Sequence, residues 1–191
     1  MGLETTVLTE ARTRGVGLRI GSSLRWLSVR GHLDPIVQRE APTAIVEALD
    51  ELHNSLGGDR RALARKQTGS IHPDLIVAAT GQLVEVDEVE HFTTARLATL
   101  SGYSSKIPFG FSIDDYKELI DTWKSKANAV FTQRWSPDFD FVGGRRAQRA
   151  YYDALKDWLA PTFTGYPVLR LAVPDGDARS AAGRLVGSLS N

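Results

Sequence analysis

Residues 72–91 read HPDLIVAATGQLVEVDEVEH, and this stretch decides the fold. Two runs rich in apolar and β-branched residues, 75–79 and 83–86, flank a Thr-Gly pair that suits a tight turn. The pattern therefore predicts a β-hairpin. Because side chains alternate along a strand, the acids Glu85 and Asp87 should share one face, while the neighbouring valines point to the opposite face and its core.

The predicted hairpin is acidic. No Lys or Arg falls between Lys66 and Arg96, and the carboxylates in that interval are Asp74, Glu85, Asp87, Glu88 and Glu90. Carboxylates gathered without cations are costly unless solvent or a metal ion compensates, and oxygen ligands suit Mg²⁺, Mn²⁺ or Ca²⁺ better than zinc. The alternative interpretation is a solvated hairpin edge, since charges also protect edge strands from aggregation.

The composition excludes several classes of protein. A chain of 191 residues with 42% hydrophobic and 24% charged residues can bury its own core, which favours a globular protein over a disordered or membrane protein. The absence of cysteine excludes disulfides and thiolate metal sites. A net charge of zero argues against coating nucleic acid by bulk charge. With no secretory signal pattern at the start, we expect a cytoplasmic protein without membrane contact.

We divide the chain into an N-terminal extension, residues 1–39, that packs on the core, and an α/β domain, residues 40–191. The extension carries six arginines against three acids, which would suit contact with phosphate. It also carries a dispersed apolar set that includes Trp26. Such a set more often marks packing than binding, so the packing interpretation is favoured.

The domain alternates predicted helices and strands. Apolar residues at helical spacing predict helices over 42–56, 91–101, 112–127 and 146–159. Pro161 lies just beyond the last of these and should end it. The segment YPVLRLAV then predicts a strand over 166–173. Strands interleaved with helices indicate an α/β or α+β sandwich.

One motif in the hairpin resembles a known superfamily. Asp74 follows a proline and is itself followed, after ten residues, by EVD at 85–87, which resembles the PD-(D/E)XK restriction-endonuclease-like superfamily. The run 83–92, LVEVDEVEHF, is similar to its very-short-patch-repair and DUF559-like branch, with Glu88 in place of a glycine and His91 retained. The resemblance implies an α/β fold in which helices flank a restriction-endonuclease-like mixed β-sheet. It also implies a helical insertion between the acidic hairpin and the late strand.

A second motif lies on the last predicted helix. Gln148 and Tyr152 fit the Q-x-x-x-Y pattern of the RecB-type nucleases in the same superfamily. The lysine typical of the E-x-K element is replaced by Asp87. In this superfamily the lysine can lie on a neighbouring helix instead, and Lys156, two turns after Gln148 on one stripe, is the candidate. The alternative is a solvated lysine on an amphipathic helix.

The resemblance implies a metal-dependent catalytic site. Asp74 and Glu85 would coordinate Mg²⁺ or Mn²⁺, and the ion would activate water against a phosphodiester. Asp87 would be a further ligand or would hold the attacking water, and Glu47 on the first helix would be an outlying ligand. His91 would protonate a leaving oxygen or, alternatively, satisfy a loop carbonyl. The residues expected to take part in catalysis are Asp74, Glu85, Asp87, His91, Gln148, Tyr152 and Lys156.

Three arginines, Arg145, Arg146 and Arg149, crowd the start of the last predicted helix, where cations oppose the helix dipole. An anionic partner at that end would remove the conflict, so contact with a nucleic-acid backbone is expected, with DNA favoured over RNA. A surface arginine cluster without a partner is the competing view. A homodimer or a larger complex is left open.

The expected function is that of a metal-dependent nuclease, an endonuclease that hydrolyses phosphodiester bonds of DNA or RNA in repair, restriction or defence. The rival is a catalytically inactive nuclease-fold protein that binds nucleic acid or takes part in assembly. A metal hydrolase that acts on another substrate is a third alternative.

Overall fold

A four-stranded mixed sheet lies at the centre of the computed structural model, which describes residues 2–103, 107–130 and 135–189. Its strands are β1 (Leu18–Ile20), β2 (Leu75–Val77), β3 (Leu83–Asp87) and β4 (Leu169–Ala172), in that spatial order. The β1–β2 and β2–β3 pairs are antiparallel, and the β3–β4 pair is parallel. Helices flank the sheet, so the fold is α/β.

The predicted hairpin is confirmed. Strands β2 and β3 pair antiparallel with Leu75 opposite Val84, and Gly81 adopts a φ of 78° in the connection, a value that favours glycine. Strand β3 is an interior strand, and Glu85 and Asp87 are only 1% and 0% exposed. The alternative of a solvated acidic edge is therefore wrong, because these carboxylates lie in the interior and need partners there.

The two faces of β3 serve different purposes, as the alternation predicted. Val84 and Val86 pack in a hydrophobic cluster with the first and last helices, where Val7 and Ala181 are fully buried. The opposite face carries Leu83 into the main hydrophobic core, presents Glu85 to Lys156 of a long helix, and presents Asp87 to Arg170 and Tyr116. One strand therefore stabilises the core on one side and positions charged groups on the other.

Eight α-helices lie in the described part of the chain. They are α1 (Leu3–Thr13), α2 (Pro35–Glu40), α3 (Thr43–Ser55), α4 (Arg60–Arg65), α5 (Thr94–Ser101), α6 (Ile113–Val130), α7 (Gly144–Thr164) and α8 (Ala178–Leu189). Short 3₁₀ turns cover Gly31–Leu33 and Val89–His91. Helices α5, α6 and α7 separate β3 from β4 along the chain, as the expected helical insertion requires. None of the helices described here has the length and apolar character needed to span a membrane.

Helix α7 is longer than predicted. The prediction that Pro161 would end it is wrong, because the helix continues through Pro161 and ends at Gly165, whose φ is 78°. A proline inside a helix removes one backbone hydrogen bond. Burial of Leu159 and stacking of Phe163 on Trp26, with ring centroids 5.0 Å apart, hold the last turn in place despite that loss.

The first 39 residues are integrated with the core. Helix α1 packs along α8 through Val7 and Ala11, and β1 forms an edge of the sheet, with Leu18 opposite Val77. Trp26 is buried against Phe163, so the packing interpretation of this tryptophan is confirmed. The segment therefore supplies an edge strand of the sheet and a helix that packs against α8.

A buried histidine makes the fold sensitive to acid. His53 is fully buried against Phe139 and Tyr151, and neither of its ring nitrogens has a hydrogen-bond partner among the described residues. Burial, with a smaller contribution from His32, lowers the pKa of His53 to about 4. Between that value and the ordinary histidine pKa of about 6.5, the unfolded chain binds the proton and the folded chain does not, so stability falls as the pH falls.

We expect His53→Leu to reduce this acid sensitivity. In the wild type, His53 alone should lower the free energy of unfolding by about 2 kcal/mol between pH 7.5 and pH 5, and the variant should lose that contribution. Urea unfolding at the two pH values measures the difference. His72→Leu, at an exposed position, is the control and should behave as the wild type. An unchanged difference in His53→Leu would contradict the prediction.

Candidate functional site

A cavity of about 250 Å³ lies between the N-terminal end of α1, strand β3 and helix α7. Its walls combine carboxylates with cations rather than apolar side chains. The residues that line it are Glu4, Asp74, Glu85, Val86, Glu88, Glu90, His91, Arg145, Arg149, Tyr152, Asp153 and Lys156. Two acids of the hairpin and the candidate lysine of α7, far apart along the chain, are therefore brought to one place.

Asp74 and Glu85 are the two carboxylates that the hairpin contributes to this cavity. Asp74 Oδ2 accepts a hydrogen bond of 2.7 Å from the backbone N–H of Val86, which fixes its orientation beside β3. Burial raises the pKa of Asp74. Glu85 is 1% exposed, and its Oε1 has no hydrogen-bond partner among the described residues. A buried carboxylate oxygen without a donor is costly, so this position suits a ligand that bonds it.

Lys156 provides the basic group. Its Nζ donates a hydrogen bond to Glu85 Oε2 and lies 3.6 Å from Asp153 Oδ1, one helical turn earlier. Burial alone would lower the pKa of Lys156, but Glu85 and Asp153 outweigh it and raise that pKa above the ordinary value. Burial also raises the pKa of Glu85 to about 7 despite the adjacent lysine. The lysine therefore remains a cation, and the alternative of a solvated lysine does not fit its burial.

His91 lies between two acids and an arginine. Its Nδ1 is 3.0 Å from Asp153 Oδ2 and 3.2 Å from Asp87 Oδ1, and Arg149 approaches its Nε2 at 2.9 Å. In the neutral ring, Arg149 donates to Nε2 and the Nδ1–H donates to Asp153. Burial lowers the pKa of His91, but Asp153 and Asp87 outweigh this and raise it. The partners are carboxylates, so the alternative of a bond to a loop carbonyl does not describe this histidine.

Asp87 does not line the cavity. Both of its oxygens accept hydrogen bonds from Arg170, at 2.8 and 3.0 Å, and Oδ2 also accepts one of 2.9 Å from Tyr116. The expectation that Asp87 would coordinate the same ion as Asp74 and Glu85 is therefore corrected. Its carboxylate is occupied by a buried guanidinium from the neighbouring strand β4.

Asp87, His91 and Asp153 could together hold a metal ion, because one ligand atom from each lies within 4.8 Å of the others. The same atoms already have cationic partners. Arg170 contacts Asp87 and also lies 3.5 Å from Asp153 Oδ1. An ion placed there would have to compete with Arg170, whereas at Glu85 the cation Lys156 contacts only Oε2 and leaves Oε1 without a hydrogen-bond partner among the described residues.

The Q-x-x-x-Y pair contacts structural partners. Gln148 is buried, does not line the cavity, donates to Asp138 Oδ1 at 2.7 Å and accepts from Arg145. Tyr152 lines the cavity, but its hydroxyl donates to the carbonyl of Val29 at 2.8 Å and accepts from Lys66. Both side chains tie α7 to neighbouring segments, and neither contacts Asp74 or Glu85.

The remaining predicted residues separate into two groups. Arg145 and Arg149 line the cavity. Arg146 does not line the cavity and instead donates to the carbonyl of Asn128 near the end of α6. Glu47 is exposed on α3 and does not line the cavity, so the expectation of an outlying ligand from that helix is corrected. Glu4 on α1 lies at the cavity instead.

Sequence reasoning missed Asp153, Arg170 and Glu4. Arg170 interrupts an apolar strand, and a charge in a buried strand signals a buried partner. Asp153 lies one turn before Lys156 on the same helix, a spacing at which side chains meet. The spacing of Val7 and Ala11 by four residues would have indicated the helix that carries Glu4.

The chain matches no protein-family model, no curated protein and no solved structure. The chemistry of the site must therefore be inferred from its own groups. Two fixed carboxylates with one open oxygen suit a hard divalent cation. The lysine beside them and the arginines along α7 suit an anionic substrate such as a phosphodiester.

Proposed function

We propose that this chain hydrolyses phosphodiester bonds of nucleic acid, DNA rather than RNA, at a Mg²⁺ or Mn²⁺ ion held by Asp74 and Glu85. The observation that carries the proposal is the meeting of Lys156 with Glu85 in the cavity that Asp74 also lines. Two acids and one lysine around a polar cavity form a set that metal-dependent phosphodiesterases need.

The donor set fits the proposed ion. Both candidate ligands are carboxylates, which suit Mg²⁺ or Mn²⁺. Glu85 Oε1 is buried without a partner among the described residues, and Asp74 is already oriented by the N–H of Val86. When bound, such an ion lowers the pKa of a coordinated water and stabilises negative charge in the transition state.

Lys156 acts as a fixed cation in this mechanism. Because Glu85 and Asp153 raise its pKa, it keeps its proton and does not serve as a general base. Its Nζ donates hydrogen bonds, which can orient an attacking water and stabilise charge that develops on the phosphate oxygens. Burial excludes competing water and strengthens this interaction.

The substrate backbone is expected to lie along α7. Arg145 and Arg149 line the same cavity as Lys156, about three and two turns before it on the helix. Their guanidinium groups suit phosphate oxygens. His91 lines the same cavity, and in the protonated form that Asp153 and Asp87 favour, its Nε2–H would donate the proton to a leaving oxygen, in place of the bond from Arg149.

The topology supports a restriction-endonuclease-like fold. An antiparallel hairpin carries the acids, a helical insertion follows, and the last strand returns parallel to β3. Helix α7, directly before that strand, carries the lysine. These features agree with the arrangement that the Asp74-to-Asp87 motif implies.

A non-catalytic nucleic-acid-binding protein is the second candidate, and one observation favours it. Lys156 neutralises Glu85 directly, so the carboxylate has a cationic partner without a metal ion. A protein of this kind would bind nucleic acid through Arg145 and Arg149 and cleave nothing.

Cleavage assays distinguish the two candidates. We expect the purified chain to cut DNA, single-stranded or duplex, faster than RNA with Mg²⁺ or Mn²⁺ and to be inactive in EDTA. Lys156→Met should lower the rate about 100-fold, because a buried charge-stabilising donor is lost. Lys117→Met, at a partly exposed lysine of α6 outside the cavity, should retain wild-type rates. Binding of these nucleic acids without any cleavage would support the non-catalytic candidate.

A further inference from the structure

Exposed apolar side chains are concentrated in one segment. Among the described residues, Val130, Trp135, Phe141 and Val142 are 44%, 63%, 41% and 75% exposed, and all lie where α6 connects to α7. Elsewhere in the described chain, only Ile20 and Tyr166 are large apolar residues with comparable exposure. Grouped exposure of this kind marks an interaction surface more often than scattered single residues do. We call residues 135–142 the aromatic loop.

Backbone hydrogen bonds and two buried side chains anchor the aromatic loop to the rest of the protein. Ser136 and Phe139 exchange backbone hydrogen bonds of 3.3 and 2.9 Å, and Phe139 is fully buried against His53 and Tyr151. Asp138 is also buried and accepts from Gln148 on α7 at 2.7 Å. The exposed side chains are therefore presented by an anchored turn, which lowers the entropic cost of binding through them.

The loop precedes the helix that carries the cavity arginines. It leads directly into α7, where Arg145, Arg149 and Lys156 line the cavity in turn. Gln148 donates to Asp138 of the loop and accepts from Arg145, so this part of the loop is linked to the arginine end of the cavity. Phe141, by contrast, lines a separate cavity with Arg146.

We propose that the aromatic loop binds unpaired bases of a single-stranded nucleic-acid segment whose backbone runs along α7. This inference rests on the proposed function and names its substrate class. Trp135 offers an exposed aromatic face on which any base can stack, and Arg145 and Arg149 on α7 attract the phosphates. A base-paired duplex keeps its bases stacked inside, so it would gain little from the loop.

Charge favours this occupant over an apolar protein surface. Lys66 Nζ lies 2.6 Å from Asp138 Oδ2 and neutralises the buried acid of the loop, while Asp140 remains exposed to solvent. Arg145 is exposed at the start of α7. Aromatic side chains beside cations are typical of single-strand binding.

Binding of fluorescein-labelled oligothymidylate and of a matched duplex, measured by anisotropy in EDTA, tests the proposal. Trp135→Ala should weaken single-strand binding about 10-fold and change duplex binding less than 2-fold, because one stacked base is lost. Trp135→Phe should recover most of the affinity. Ile20→Ala, at an equally exposed apolar residue of β1, is the control and should bind as the wild type. Circular dichroism verifies the fold of each variant.

The other outcomes overturn this inference, the catalytic proposal, or both. Equal losses on both substrates, or no loss in Trp135→Ala, exclude base stacking by this loop even if the protein cleaves nucleic acid. If the wild type binds the single strand with the expected loss in Trp135→Ala but cleaves nothing with Mn²⁺, the inference stands and the catalytic proposal fails. If the wild type binds neither probe, both fail. A self-associating wild type that Trp135→Ala makes monomeric, with unchanged binding, identifies a protein interface instead.

Discussion

Replacement of Arg170 with methionine is expected to lower the free energy of unfolding by about 3–5 kcal/mol, because it removes the cation from a fully buried charge network. The guanidinium contacts Asp87 at 2.8 Å and Asp157 at 2.9 Å and lies 3.5 Å from Asp153. Arg96, His91 and Lys156 would be the remaining cationic partners of these acids. Urea unfolding measures the loss, and thermal unfolding should show a midpoint lower by roughly 10 °C or more.

Two further variants make this test specific. Arg184→Met removes a more exposed arginine that donates to the carbonyl of Ala172, and it should cost less than about 1 kcal/mol. The double variant Asp87→Asn with Arg170→Met should be more stable than Arg170→Met alone, since it removes one of the unpaired charges. A single variant Arg170→Met as stable as the wild type would contradict the assignment of this network.

Glu85→Gln is expected to abolish metal binding and to lower cleavage about 1000-fold or more, because it removes a charged ligand and keeps the side-chain shape. The amide oxygen can still accept a hydrogen bond from Lys156, so the fold should persist. Isothermal titration calorimetry measures the binding of Mn²⁺, and the cleavage assay measures the rate of hydrolysis. The wild type should bind the ion and the variant should not.

The matched control for this prediction is Glu51→Gln, at an exposed glutamate of α3, which should bind Mn²⁺ as the wild type does. Asp153→Asn locates the ion. Retained Mn²⁺ binding in Glu85→Gln, together with lost binding in Asp153→Asn, would place the ion at Asp87, His91 and Asp153 instead. Metal binding that survives in both variants would exclude both positions.

The sequence was most informative where the signal is local. Alternation around Glu85 predicted the hairpin and its two faces, because neighbours within a few residues determine that geometry. The order of predicted helices and strands also indicated an α/β or α+β fold. The resemblance supplied Lys156 as the candidate lysine, which contacts Glu85 in the structure, and it implied the helical insertion.

The sequence failed where partners meet only in three dimensions. Asp87 and Arg170 are 83 residues apart, and their contact depends on the parallel register that places Asp87 opposite Ala172. Strand β1 has three residues and one buried side chain, too few to show alternation. Glu47 and Glu4 both lie on amphipathic helices, and only the packing of α1 on α8 brings Glu4 to the cavity.

The length of α7 has a consequence for how this chain can vary. Arg145, Arg149, Tyr152, Asp153 and Lys156 all reach the cavity from this one 21-residue helix. One inserted residue would rotate everything beyond it by about 100° and advance it by about 1.5 Å, moving part of the set to another face. Single side chains of α7 can therefore be exchanged without moving the others. An insertion or a deletion within the helix, by contrast, would separate the residues that line the cavity.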